Sequence, residues 1–416
     1  MAEFAVLSEK RLRRHVRVGD GPRFDVDLHS SLDEIISRIA ERALDRCIDL
    51  GSFHQGRAGR KPCVSYREYE CTLVLRAVAA AVQKRYRVVL PNRDRIVKGV
   101  IASMLDATPF HIIRRDFKSF YETVPTRQLE QRLLHDTALP STARHYLKDY
   151  FTTHCSSGVA LPRGIGLSAV LVELFMESFD KSVKRLPGVY RYFRYCDDII
   201  IFCFGPPSAV EAEVQELVPQ GMSFNTDKSN CINFAKESGT PVAKDIEFLG
   251  YRLTANDVCK NRRLPRAVTV DISSSKIRKI KSRILLSLRE FRRSGDAELL
   301  TDRVKFLSGN YCVERKGVSF KHPEGVRGGM YFNYKLCGDY APDFQPSTPA
   351  AVRELDQFLG FLVESPKSEF YVPVRASAGL VGELRRVRFA AGYEKRMFVR
   401  YSWERMREIK MAWRNA

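Results

Sequence analysis

The chain has 416 residues, 44% of them hydrophobic, and a formal net charge of +20. That length implies two to four packed subdomains with the apolar content of a globular protein, and no apolar run reaches the roughly 18 residues of a membrane span. The start of the chain lacks a signal pattern, and ten scattered cysteines with no C-x-x-C pair argue against a zinc site and for reduced thiols in a cytosol.

The charge itself points to a polyanion, nucleic acid before a membrane surface, because the basic residues are spread along the chain. Solubility is the plainer explanation, but it requires a far smaller excess. Residues 1–30 are basic and irregular. The spacing of Leu32, Ile35, Ile36, Ile39, Ala43 and Leu44 predicts a helix from Ser31 to Asp49 capped by Ser30 or Ser31. Residues 51–64 read as a basic glycine-containing loop. A second helix is expected from Tyr66 to Lys84, then a strand that Pro91 ends, then a helix opened by Asp94 as its cap. A strand from Ile112 to Arg115 delivers Asp116 at its end, with Phe117, Phe120 and Tyr121 following. Residues 160–180 read as a Gly/Pro loop running into a long helix with Val170, Leu171, Leu174, Phe175 and Phe179 on its apolar face. Gly164 in that loop permits a close backbone approach.

The stretch from Tyr190 to Phe204 reads as a β-hairpin with Asp197 and Asp198 between two runs of strand-forming residues. Asp is favoured in ordinary turns, and that is the plain reading. The second run, Ile199 to Phe204, is almost wholly apolar and so a buried strand. Two adjacent carboxylates at the tip of a buried hairpin are costly unless a cation neutralises them, and oxygen ligands suit Mg²⁺. If Asp116 lies on a neighbouring strand, three carboxylates make a site for two Mg²⁺ about 3.5–4 Å apart, which is the arrangement of phosphoryl transfer. Farther on, Ser273 to Arg293 is an amphipathic helix. Ile277, Ile280, Ile284, Leu288 and Phe291 form its stripe, and Lys276, Lys279, Arg283, Arg289 and Arg293 spread over the other faces. That pattern fits a helix tracking a phosphate backbone, or a solvated basic face. Aromatics at 311 and 331–334 fit base stacking or plain packing. Residues 338–350 read as a linker, and the last 45 or so residues as helical and basic.

Taken in order, Asp116 with Phe120-Tyr121, then Leu161-Pro-Arg-Gly164 with Ser168, Tyr195-Cys-Asp-Asp198, Lys228 and Phe248-Leu-Gly250 resemble the palm of reverse transcriptases. The resemblance covers roughly residues 80–255. It is nearest to bacterial group II intron, retron and antiphage-defence enzymes, and residues 91–98 resemble their fingers segment. It implies an α+β right-hand fold: fingers and palm of antiparallel sheet plus helices, and a helical thumb with an extension. The segments expected are a basic N-terminal extension at 1–65, fingers and palm at 66–265, a thumb at 266–337 and a basic helical extension at 351–416.

The same resemblance implies RNA-directed DNA polymerase activity with two Mg²⁺ held by Asp116, Asp197 and Asp198. Tyr121 would exclude a 2′-hydroxyl, and Phe117, Arg163, Gly164, Lys228, Arg87 and Arg95 would line the deoxynucleotide's site. Phe248, Leu249 and Gly250 would grip the primer, and Lys276, Lys279 and Arg283 would hold nucleic acid. For Tyr121, Lys228 and the arginines, ordinary core or surface roles stand beside these. Arg163 stands where the family usually has Gln, Ala169 where it often has Pro, and Glu173 where it often has Asn. No retron-type Val-Thr-Gly triplet is present. The expected partners are an RNA template, a DNA product and dNTPs, with a noncoding RNA and a second polymerase subunit if the antiphage resemblance extends that far. A template-independent or protein-primed DNA polymerase would share all the palm residues. An RNA-binding protein with a vestigial palm would be expected to lose carboxylates.

Overall fold

The computed structural model describes residues 6–17, 19–59, 61–236, 239–258, 264–313, 326–340, 344–345, 347–395 and 398–414. Contacts group the chain into two compact units, one of Met1–Ile96 and Phe110–Asn233, the other of Val97–Pro109, Phe234–Arg315 and Glu324–Ala416.

The first unit opens with α1 (Glu9–Arg13), α2 (Asp20–Phe24) and α3 (Leu32–Leu44). The stripe expected on α3 is buried at Leu32, Ile36, Ile39 and Ala43. The helix ends at Leu44, short of Asp49, because Arg46 takes a left-handed φ of 59° and the Cys47 N–H turns back to the Arg42 carbonyl at 2.8 Å. Leu7, Leu12 and Leu28 share one core with the helices and strands that follow, so residues before 65 are built into this unit.

Residues 51–64, expected as a loop, form most of an antiparallel hairpin of β1 (Phe53–Ala58) and β2 (Lys61–Tyr66), with Phe53 opposite Tyr66. Tertiary bonds anchor it. The Val64 N–H donates to the Arg163 carbonyl at 2.7 Å, and the Tyr66 hydroxyl meets His154 Nε2 at 2.6 Å. The next helix, α4 (Tyr69–Tyr86), runs through residues expected to begin a strand. It stops where Arg87 takes a φ of 55° and the Val88 N–H returns to Gln83 O, leaving Val89 and Leu90 exposed and in no strand. The cap of α5 (Arg93–Met104) is Asn92, whose Oδ1 accepts the Arg95 N–H at 2.9 Å, and not Asp94.

The sheet of this unit holds β3 (His111–Asp116), β4 (Val189–Tyr195), β5 (Asp198–Cys203) and β6 (Asn230–Asn233) in the antiparallel order β4-β5-β3-β6. Helices α6 (Arg127–Leu134), α7 (Ser141–His154), α8 (Gly166–Val183) and α9 (Pro207–Glu216) lie between these strands in sequence. Because side chains alternate along a strand, Ile199, Ile201 and Cys203 join the core of α4, α7 and α8. Their neighbours on the opposite face meet aromatic rings: Phe202 lies 5.5 Å from Phe110 and 6.2 Å from Phe193. Burial on both faces explains the unbroken apolar run of β5.

The second unit carries an antiparallel sheet of β7 (Ala243–Phe248), β8 (Tyr251–Asn256) and β9 (Val268–Ile272), to which later strands add. The helices α10 (Ser274–Ser294) and α11 (Ala297–Ser308) follow, and α10 lies within a residue of the expected helix, with its stripe buried. Then come β10 (Asn310–Val313), β11 (Val326–Gly329), α12 (Met330–Tyr334), β12 (Gly338–Tyr340) and β13 (Phe344–Gln345). The segment expected as a linker thus supplies β12, which pairs with β9. The unit continues with α13 (Ala350–Glu364), α14 (Tyr371–Ala376), α15 (Leu380–Arg386), α16 (Phe389–Glu394) and, after β14 (Phe398–Tyr401), α17 (Trp403–Met411). Since β14 pairs with β10 and α13 and α17 pack on α10 and α11, the last helices are one body with the expected thumb.

Gly164 illustrates a position with no alternative. Its φ is 99°, and a Cβ there would run into the Val64 carbonyl oxygen beside the β2 anchor. Gly164→Ala should therefore destabilise the first unit by at least about 2 kcal/mol, read as a lower midpoint in urea unfolding followed by far-UV circular dichroism.

Candidate active site

The β4–β5 connection has two residues, Cys196 and Asp197, closed by Tyr195 opposite Asp198. Cys196 takes a φ of 54°, the left-handed value that primed hairpin turns require at this position and that a non-glycine side chain adopts at a cost. The neighbouring strand brings Asp116 directly opposite Asp198. Beyond it, the Phe117 N–H donates to the Asp197 carbonyl at 3.0 Å, and the Asn225 N–H donates to the Asp116 carbonyl at 2.7 Å. The sheet and the turn thus hold the backbones of Asp116 and Asp197 in register.

Asp116 is 4% exposed. Burial and the charges of Asp116 and Asp198 push the Asp197 carboxyl up from its ordinary range, against a backbone hydrogen bond and the Lys61 charge. A bound cation would stabilise a carboxylate held in this state, and Asp116 and Asp197 would offer it oxygen donors. The third expected carboxylate differs. Asp198 Oδ1 accepts from Arg114 Nη2 at 3.3 Å, because Arg114 lies two residues before Asp116 and on the same face. Among the described residues, no three His, Cys, Asp or Glu side chains gather in a group that could hold a metal ion.

Tyr121 lies beside this turn. Burial, then the charges of Cys196 and Glu173, push its hydroxyl up to about 12. Its ring carries the Arg163 guanidinium 4.7 Å above the centroid. Arg163 is in turn forked onto Glu122, Nε to Oε1 at 2.7 Å and Nη2 to Oε2 at 3.1 Å. Burial opposes ionisation of Glu122, but hydrogen bonds and charge from Arg163, with Lys61, hold its carboxyl below the usual range. An Arg at this place is therefore committed to a carboxylate and a ring, which a Gln would not be.

Other expected residues sit elsewhere. The Phe117 ring is 1% exposed and packs on Phe120, Phe179 and Phe224, so its contribution to the site is the backbone N–H. Arg87 closes α4 and Arg95 is exposed on α5, and neither is among the charges acting on Asp197. Two basic residues that the sequence reading passed over act on the hairpin instead: Lys61 on Asp197, and Arg93 on Tyr195. Lys61 sits in the hairpin read as a loop, which left it without a strand to aim it. Lys228 ends a short 3₁₀ turn, Thr226–Lys228, and its side chain lies outside those described.

In the second unit the Phe248 ring is buried, so only the turn Leu249-Gly250 offers itself to a ligand. Both turn residues have positive φ, 48° and 87°, as a type I′ hairpin requires. The Ser273 N–H donates to the Gly250 carbonyl at 3.0 Å, and Glu247 Oε1 accepts the Ser274 N–H at 2.7 Å, docking the start of α10 on that turn. Lys276 and Lys279 are exposed on α10. Arg283, grouped with them in the sequence, is turned inward. Its guanidinium lies 5.3 Å over the Trp413 ring and burial lowers its pKa. Tyr311 stacks on Phe306 at 4.3 Å, which makes it a packing residue.

Residues 59–253, just under half of the chain, match the family described as reverse transcriptase (RNA-dependent DNA polymerase). That segment of the chain thus matches a reverse transcriptase domain, and its structure is of mixed α+β palm and fingers type. No curated protein matches the sequence. Among solved structures, the chain is similar to an apo telomerase from Candida tropicalis truncated from its C-terminal domain. The identity is 15% and the TM-score 0.34, over 49% of this chain and 45% of that one. It is also similar to telomerase from Candida albicans in complex with a fragment of telomeric RNA, at 11% identity and TM-score 0.36, over 93% of this chain and 57% of that one. The chain spans about half the length of those two. Among the described residues, no helix is long and apolar enough to cross a membrane.

A raised carboxyl has a signed consequence for stability. The folded chain holds the Asp197 proton more tightly than the unfolded chain does, so stability falls as pH rises from the ordinary carboxylate range through the raised value. In the presence of a chelator, Asp197→Asn should be more stable than the parent at pH 7. That gain should vanish below the ordinary carboxylate range, as read by thermal unfolding across pH.

Proposed function

We propose that the protein is an RNA-directed DNA polymerase that adds deoxynucleotides at Asp116 and Asp197. The observation that carries this is the bond from the Phe117 N–H to the Asp197 carbonyl, which sets a strand-end carboxylate beside a turn carboxylate within a matched reverse transcriptase domain. Those two residues would hold Mg²⁺, with Asp198 the third carboxylate alongside, and the cation would supply the charge needed at the attacking hydroxyl and the departing pyrophosphate. The chain's own part is orientation. Tyr121 fills the space beside the turn, which supports selection against a 2′-hydroxyl. Lys61 is a positive charge that acts on Asp197, and this supports a contact to the triphosphate. Lys276, Lys279 and the Leu249-Gly250 turn serve the nucleic acid. The resemblance to antiphage enzymes supports a noncoding RNA template and a second polymerase subunit, which sequencing of co-purifying nucleic acid and mass analysis of the complex would identify.

Asp116→Ala and Asp197→Ala should each lower dNTP incorporation on an RNA template at least a hundredfold while leaving nucleic-acid affinity near that of the parent. Incorporation above a few per cent of the parent by Asp197→Ala would sink the proposal. Incorporation by the parent without any template would replace it with template-independent synthesis.

Changing Lys276 and Lys279 together to Gln keeps good helix formers on an exposed face. Primer–template affinity should fall, and the slope of log K against log salt should flatten by about 1.5 to 2, roughly 0.7 to 0.9 per charge. Arg283 is left unchanged because its replacement would disturb the Trp413 packing. Equal slopes in variant and parent would assign the duplex contacts to another surface.

A further inference from the structure

Behind the acidic turn lies a buried ionic cluster that none of the roles above uses. Arg194, 3% exposed at its side chain, stands between Glu173 and Asp180. The two carboxylates are seven residues apart on α8, two turns of one helix face. Tyr192 and Arg194 are two apart on β4 and so share the sheet face that looks onto that helix. The Arg194 guanidinium donates from Nε to Asp180 Oδ1 at 2.8 Å and from Nη2 to Asp180 Oδ2 at 2.7 Å. It reaches Glu173 from Nη1 at 3.0 Å and Nη2 at 2.6 Å, and from Nη1 it donates to the Cys196 carbonyl at 3.2 Å. Those bonds use all five N–H donors of the group. Tyr192 completes the cluster with its hydroxyl on Asp180 Oδ1 at 2.6 Å.

We infer that Arg194, set by Glu173 and Asp180, is a positioning residue for Asp197. The carbonyl it holds belongs to the planar peptide that joins Cys196 to Asp197, so fixing that oxygen fixes the plane from which the Asp197 side chain departs. The next peptide is fixed by the Phe117 N–H on the Asp197 carbonyl. Asp197 is therefore pinned on both sides, by helix α8 through Arg194 and by strand β3 through Phe117. The pinning also sustains the left-handed Cys196, a conformation that persists only where surroundings over-determine it. Glu173, where related palms often carry Asn, supplies a second carboxylate. That makes the arginine a two-sided fork which neither a single anion nor a lysine reproduces.

This inference rests on the proposed polymerase reading for its rate test but not for its structural one. Arg194→Lys keeps a buried cation between the two carboxylates yet has too few donors, in the wrong geometry, for both carboxylates and the carbonyl. Glu173→Gln keeps the arginine and weakens one side of the fork, and it serves if the lysine variant does not fold. Alkylation of Cys196, followed by peptide mass spectrometry in the presence of a chelator, reads the turn directly. Its rate should rise severalfold in both variants, while Cys63, half-exposed in the β1–β2 hairpin, reacts as in the parent. In steady-state incorporation, kcat should fall by roughly tenfold to a hundredfold in Arg194→Lys with KM for dNTP little changed, because misplaced groups cost rate rather than binding. Arg76→Lys, at a buried pair with Asp20 remote from the turn, should lower stability and move neither readout. Parental Cys196 reactivity in a folded variant, or parental kcat in an active one, overturns the inference. An inactive parent overturns the polymerase reading alone and leaves Cys196 to decide this one.

Discussion

One hydrogen bond organises the site: the Phe117 N–H on the Asp197 carbonyl, at 3.0 Å. It extends the β3–β5 ladder by one step, past the last paired residues and into the turn. A carboxylate at a strand end and another at a hairpin tip are each ordinary. What makes them a pair is that the backbone one residue beyond the first holds the backbone of the second. The hydrophobic packing of Ile113, Ile199 and Ile201 against α4 and α8 exists in part to keep that ladder in register, since a slip of one residue would turn Asp116 to the opposite face.

Charge is used with economy. The chain carries twenty more basic than acidic residues, yet several of its arginines are committed inside the fold. Arg194 sits between two carboxylates, and Arg163 is forked on Glu122 and laid over Tyr121. Arg266 spends its guanidinium on the backbone carbonyls of Asn256, Thr108 and Phe234. Arginine serves here because its planar donors can satisfy several acceptors at once while staying charged. Part of the remaining excess lies on exposed residues such as Lys279.

Both candidate hairpins carry backbone strain. Cys196 and Leu249 both occupy left-handed φ without being glycine, and each is flanked by tertiary bonds to its turn. A turn residue that would prefer another conformation stays in place only while its neighbours hold it, so the two turns share the fate of the elements they dock on: α8 for the first and α10 for the second.

Much of this was determined by the sequence alone. The run from Tyr190 to Phe204 reads as a buried hairpin with an acidic tip, because Ile199 to Phe204 is almost wholly apolar. The stripe of α10 and the strand ending in Asp116 followed from periodicity of the same kind. Tertiary structure decided what periodicity does not encode. Residues 53–58 and 61–66 became strands, anchored on Arg163 and His154, while Val88-Val89-Leu90, with better strand composition, pairs with no strand among the described residues. Residues 338–340 became a strand because β9 offered an edge. Phe117 and Phe248 carried motif positions, but their rings belong to the core, and Arg283, grouped with Lys276 and Lys279 in the sequence, faced Trp413. Glu173 was legible only as a departure from the family's Asn, and Asp180 carried no reading, until Arg194, from a strand fourteen residues beyond Asp180, was folded between them. Local sequence sets which backbone forms are open, and burial and long-range hydrogen bonds choose among them, because only they can satisfy the groups that folding removes from water.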